Sequence, residues 1–87
     1  MTNITVAGTG YVGLVTGVCL AEVGHSVTCV DNVQEKIDLL NKGISPIYEP
    51  ELDLLIVKNA QEGKLNFTTD YESAYRKSDV VFIGVGT

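Results

Sequence analysis

The 87-residue sequence has no tryptophan, one histidine, two cysteines and two prolines. Each scarcity closes off a class of protein. Cys19 and Cys29 show no CxxC spacing and have no histidine pair nearby, so they supply no zinc-ligand set, and no metal site is expected. Both lie in apolar runs and read as buried, reduced thiols, which agrees with a cytoplasmic protein. Basic residues are few: six Lys and Arg stand against eleven Asp and Glu, for a formal net charge of −5 and a pI near 4.5. That balance leaves no electrostatic footprint for nucleic acid. It does not exclude an anionic ligand, because a helix N-terminus binds phosphate through backbone amides. Long hydrophobic runs are missing too. The longest, residues 12–23, is broken by Thr16, Gly17 and Glu22 and is too short and too mixed to span a bilayer. The opening residues carry no basic n-region, so no signal peptide is expected.

What is present is a folded pattern. Hydrophobic residues make up 45% of the chain, with a mean hydropathy of +0.19, and the length admits one domain at most. Residues 4–7 read as a strand and 11–23 as a helix with Val12, Val15, Cys19 and Val23 as its apolar contacts, stopped by Gly24 and His25. Residues 26–30 form a second strand, ended by Asp31 and Asn32. Asn32 is positioned to cap a helix over 33–41 that buries Ile37, Leu39 and Leu40 and stops at Lys42-Gly43. Pro46 and Pro50 make the next stretch a loop. Pro50 suits the first turn of a helix running to 62, with Leu52, Leu55, Ile56 and Ala60 as its stripe. Residues 65–68 give a third strand. Residues 70–77 give a polar helix capped by Thr69 or Asp70. Residues 80–85 give a continuous apolar strand expected to be buried on both faces. Strands alternating with helices predict an α/β fold with a doubly wound parallel sheet of about four strands and right-handed crossovers. The chain stops at Thr87, where a βα loop ought to begin. Residues 1–87 are therefore expected to be the N-terminal part of a domain whose remainder lies beyond them.

The chemistry sits in Gly8-Thr9-Gly10-Tyr11-Val12-Gly13. A GxGxxG string is weak alone, but this one follows a strand, opens a helix and lies within a βαβ unit of about 30 residues. Asp31, at the end of the second strand, stands close to the expected spacing of about 20 residues after the glycines. Together these predict a Rossmann-type dinucleotide site. Gly8 permits the turn, Gly10 lets a pyrophosphate approach the backbone, and Gly13 lets the helix pack on the sheet. The amides around Tyr11 and Val12 point at the phosphates. The Asp31 carboxylate accepts from the adenosine ribose hydroxyls and repels the 2′-phosphate of NADP, so the cofactor is expected to be NAD. Spacing alone reads Lys36 as a solvated helix lysine. His25 reads as a surface turn residue, and Tyr48 and Glu49 as either binding or purely structural. Asp70, Glu72 and Asp79 read as solvated or capping. No Ser/His/Asp or Cys/His constellation is visible, so no catalytic residue is assigned.

The glycine motif with Leu14 and Gly17, Val30-Asp31 with Lys36, Pro46-Ile47-Tyr48-Glu49-Pro50, and Ser78-Asp79-Val80-Val81-Phe82-Ile83-Gly84-Val85-Gly86-Thr87 together resemble the opening of the UDP-glucose 6-dehydrogenase family. The resemblance covers essentially the whole chain. Glu51 departs from the glycine common there. The resemblance implies NAD-dependent oxidation of the C6 alcohol of a nucleotide sugar to a carboxylate, with two NAD reduced per sugar. It implies that the Tyr11 and Val12 amides meet the pyrophosphate, that Asp31 and Lys36 meet the ribose, and that Thr87 contacts NAD. It also implies a homodimer or higher homo-oligomer, with the nucleophilic cysteine and the sugar-nucleotide pocket far downstream. Cys19 and Cys29 inherit no catalytic role, and these 87 residues alone are expected to be inactive. The alternatives are a GDP-mannose or UDP-N-acetylhexosamine dehydrogenase, and a non-catalytic NAD-binding module.

Overall fold

Apolar runs too short for anything but strands are separated by helices, and the backbone follows that order. The structure, a computed structural model, describes residues 2–44 and 50–83. The elements are β1 (Asn3–Ala7), α1 (Tyr11–Glu22), β2 (Ser26–Val30), α2 (Gln34–Asn41), α3 (Pro50–Gln61), β3 (Leu65–Thr68), α4 (Tyr71–Lys77) and β4 (Val80–Ile83). The strands form one parallel sheet in the order β3-β2-β1-β4.

Register turns the sequence pattern into two unlike faces. Ile4, Val27 and Leu65 align across the sheet, as do Val6, Cys29 and Phe67. These six share one face and pack with Leu14, Val18 and Ala21 of α1, Ile37 and Leu40 of α2, and Leu52 and Ile56 of α3. Each large aliphatic side chain fully buried there contributes about 1.5–3 kcal/mol. The opposite face carries Thr5, Thr28 and Asn66. Against it lies α4, which Thr5 holds by donating its hydroxyl to the Ala74 carbonyl at 3.1 Å and by a hydrogen bond with Ser78. Helices on both faces make the sheet doubly wound, as expected.

Four expectations need correction. The buried side of α1 is Gly13, Leu14, Gly17, Val18 and Ala21, while Val12 and Val23 face solvent and Cys19 is exposed. The glycines decide this. A Cβ on Gly13 would lie 2.3 Å from the Gly8 carbonyl oxygen, and one on Gly17 would lie 2.8 Å from Cys29 Sγ. Helix and sheet approach too closely there for larger residues. Cys29 is buried as expected, and burial pushes its thiol up to about 12. Asn32 does not cap α2. The N-cap is Val33, whose amide donates to Asp31 Oδ1 at 3.0 Å. In α2, Leu39 is partly exposed; in α3, Ala60 is exposed and Asn59 is buried in its stead. Finally, β4 is exposed along its length, because it is an edge strand of the described sheet and pairs with β1 alone. Gly84 and Val85, the expected end of that strand, lie outside the described residues.

Candidate functional site

The strand order reverses beside β1. The chain runs from β1 outward through β2 and β3, then returns to the other side of β1 for β4. In open α/β sheets the carboxyl ends of the strands at such a switch point form the ligand crevice. The glycine turn lies at this point.

Gly8 leaves β1 with φ of +102°, a left-handed conformation that favours glycine, and its amide donates to the Val30 carbonyl at 2.7 Å. The turn is thereby tied to the end of β2. Gly10 is the N-cap of α1, with φ −69° and ψ −178°. Any residue adopts that backbone, and a Cβ there would meet nothing within 4 Å. Among the described residues nothing requires glycine at position 10. The space beside it is open. The first intrahelical bond runs from the Leu14 amide to the Gly10 carbonyl at 2.9 Å. No side chain caps α1, and its first turn carries no acidic residue. The amides of Tyr11, Val12 and Gly13 precede that first bond and occupy the positive end of the helix dipole. An open space bordered by such amides fits a pyrophosphate.

Asp31 follows β2 directly, and its own amide donates to the Thr68 carbonyl at 3.2 Å. Its carboxylate lies beside the turn. Oδ2 accepts from the Thr9 amide at 3.1 Å and from the Thr9 hydroxyl at 2.7 Å, and Oδ1 accepts from the Val33 amide. Lys36 Nζ lies 3.7 Å from Oδ2. Burial alone would raise the Asp31 pKa. The Thr9 hydroxyl, the Val33 and Thr9 amides and the Lys36 charge outweigh it and hold the carboxyl below its ordinary value. A carboxyl depressed in this way stabilises the fold above its unfolded pKa, and that contribution is lost as pH falls through the folded value. At neutral pH Asp31 is an anion. Its charge reaches Tyr71, whose phenol is raised first by burial and then by Asp31.

The structure thus brings together Gly8, Gly10, Tyr11, Val12, Gly13, Asp31 and Lys36. Thr87 lies outside the described residues, as do Tyr48 and Glu49. His25 sits in the turn after α1, where its Nδ1 accepts from the Thr2 amide at 3.4 Å. Asp70 caps α4, accepting from the Ser73 amide at 3.1 Å, and Asp79 Oδ2 accepts from the Asn3 amide at 3.0 Å. Among the described residues no three His, Cys, Asp or Glu side chains converge as a metal site, and no helix is long and apolar enough to cross a membrane. Thr9 is the residue that sequence reasoning passed over. It is buried at 1% exposure, and both its polar donors serve Asp31. Its only sequence signal is a hydroxyl between the first two glycines.

Known proteins share this fold. The family model for the UDP-glucose/GDP-mannose dehydrogenase family, NAD binding domain, matches residues 2–87. The UDP-glucose 6-dehydrogenase YwqF of Bacillus subtilis is 60% identical over 85 residues, covering 98% of this chain and 19% of that protein. A ternary complex of GDP-mannose dehydrogenase from Pseudomonas aeruginosa superposes with a TM-score of 0.93 at 49% identity, over 98% of this chain and 20% of that one. A UDP-glucose dehydrogenase from Pyrobaculum islandicum gives a TM-score of 0.93 at 37% identity, over 100% of this chain and 20% of that one. The chain therefore spans about one fifth of the length of these relatives.

Proposed function

The chain belongs to the UDP-glucose/GDP-mannose dehydrogenase family, by its match to that family's NAD binding domain, and from that membership we propose that it is the cofactor-holding opening of a UDP-glucose 6-dehydrogenase. The observation that carries the cofactor half of this reading is the glycine turn. Gly10 has open space where a Cβ would stand, uncapped amides follow it, and an anionic Asp31 lies alongside. The sugar half of the reading is supported by the 60% identity to a UDP-glucose 6-dehydrogenase.

Each residue has a binding role in this proposal. The Tyr11 and Val12 amides hold the pyrophosphate against the helix dipole. Gly10 keeps the approach clear, and Gly8 and Gly13 hold the turn against α1. Asp31 accepts from the adenosine ribose and excludes a 2′-phosphate, with Lys36 beside it. Thr87, which lies outside the described residues, is assigned an NAD contact on the family resemblance alone. NAD, once bound, supplies a hydride acceptor. Among the described residues no group is arranged to activate an alcohol. The oxidation of a C6 alcohol to a carboxylate, with two NAD consumed, is assigned to parts of the longer enzyme, and residues 1–87 alone are inactive. The cytoplasm and a homo-oligomeric state complete the proposal.

The test is NADH formation by the full-length gene product with a panel of nucleotide sugars. UDP-glucose as the preferred substrate, with two NADH per sugar, is the expected result. Turnover with GDP-mannose or a UDP-N-acetylhexosamine in its place would reassign the substrate within the family. The 49% identity to a GDP-mannose dehydrogenase makes GDP-mannose the first competitor to include.

A further inference from the structure

We propose that Thr9 is a specificity-determining positioning residue. It holds one carboxylate oxygen of Asp31, so that the other, Oδ1, meets the adenosine ribose. The inference rests on the reading of Asp31 as the ribose carboxylate and adds which oxygen acts and what fixes it.

A carboxylate offers about four acceptor positions, two on each oxygen. On Oδ2 both are taken by one residue, the Thr9 amide at 3.1 Å and the Thr9 hydroxyl at 2.7 Å. On Oδ1 one is taken by the Val33 amide at 3.0 Å. One position on Oδ1 is left over among the described residues. Lys36 approaches the same side as Thr9, at 3.7 Å from Oδ2, and so reinforces the held oxygen and not the open one. The two Thr9 donors fix the plane and the torsion of the carboxylate before any ligand arrives. A ribose hydroxyl then finds an acceptor already aimed, and a 2′-phosphate meets a charge that cannot swing aside. Thr9 can do this because it is rigid itself: it is buried, β-branched and anchored in the tight turn between Gly8 and Gly10. Without its hydroxyl, Oδ2 keeps one amide, and the carboxylate can rotate toward Lys36 and away from the cofactor.

The experiment titrates NAD and NADP calorimetrically into the full-length gene product and its variants, with thermal melting run alongside without cofactor. Thr9→Val removes the hydroxyl at nearly constant volume. It is expected to bind NAD roughly two- to tenfold more weakly, the factor for having to order one side chain on binding, and to narrow the NAD-over-NADP preference. Thr9→Ser keeps the hydroxyl and is expected to restore most of both, which a merely space-filling role for Thr9 would not produce. Should Thr9→Val not fold, Thr9→Ala makes the same comparison. A folded Thr9→Val or Thr9→Ala with unchanged affinity and preference overturns the proposal, as does loss of preference in Thr9→Ser. Asp31→Asn separates the two layers. If it leaves the preference untouched, the reading of Asp31 itself is wrong. If it abolishes the preference while Thr9→Val does not, only the role of Thr9 fails.

Discussion

The helices α1 and α4 lie on opposite faces of the sheet and begin in opposite ways. Helix α4 closes its own start: the Asp70 side chain accepts from the Ser73 amide, and Glu72 adds negative charge to the first turn. Helix α1 starts on Gly10, with no capping side chain and no acid. The other two helices side with α4. Glu35 stands in the first turn of α2, and Glu51 and Asp53 in that of α3. An acid in a first turn typically stabilises a helix by 0.3–1 kcal/mol, and a capping side chain by about 1 kcal/mol. Helix α1 forgoes both. Its stability comes from the close packing of Gly13, Leu14, Gly17, Val18 and Ala21 on the sheet. The difference teaches where the chain spends a helix end on its own fold and where it leaves one open to an outside anion.

Four substitutions break or sharpen this comparison. Gly10→Val has the largest expected effect on binding. Its Cβ meets nothing within 4 Å, and the branched side chain is set to fill the space a pyrophosphate needs, so NAD binding by calorimetry is expected to vanish while the melting temperature stays near that of the parent. Retained tight binding would move the pyrophosphate elsewhere. Gly13→Ala acts on the fold instead. Its Cβ is driven into the Gly8 carbonyl, and chemical denaturation is expected to register a loss of roughly 1–3 kcal/mol or more, the range for overpacking. Asp70→Ala removes the cap of α4 and is expected to cost about 1 kcal/mol of stability without changing NAD affinity. Val12→Glu gives the exposed first turn of α1 the acid it lacks. It is expected to stabilise the ligand-free chain by roughly 0.3–1 kcal/mol, read as a small rise in melting temperature, and to weaken NAD binding. An acid there that leaves NAD affinity intact would remove the reason for the open start.

Much of this is legible in the sequence. The order of elements follows from apolar runs and glycine stops, and the candidate site from the spacing of Gly8, Gly10, Gly13 and Asp31. The failures have physical causes. Counting apolar residues assigns the face of α1 to Val12, Val15, Cys19 and Val23, whereas close approach to the sheet selects glycines, which carry no hydrophobic signal. Asn32 looked like the better cap by position, but Asp31 turned its Oδ1 to the Val33 amide first. The partnership of Thr9 and Asp31 spans 22 residues and exists only once β1 and β2 are paired. No local pattern reports it. The exposure of β4 was invisible for another reason: a run such as Val80–Ile83 reads as buried whatever lies beside it, and neighbours decide.

If this turn holds NAD, the Asp31 charge selects it over NADP. The most direct test is a calorimetric titration of the full-length gene product and its Asp31→Ala variant with NAD and with NADP. The parent is expected to prefer NAD, and the variant to bind NAD more weakly and lose most of the discrimination against NADP. Equal affinity of the parent for both cofactors, or an unchanged preference in Asp31→Ala, would contradict this.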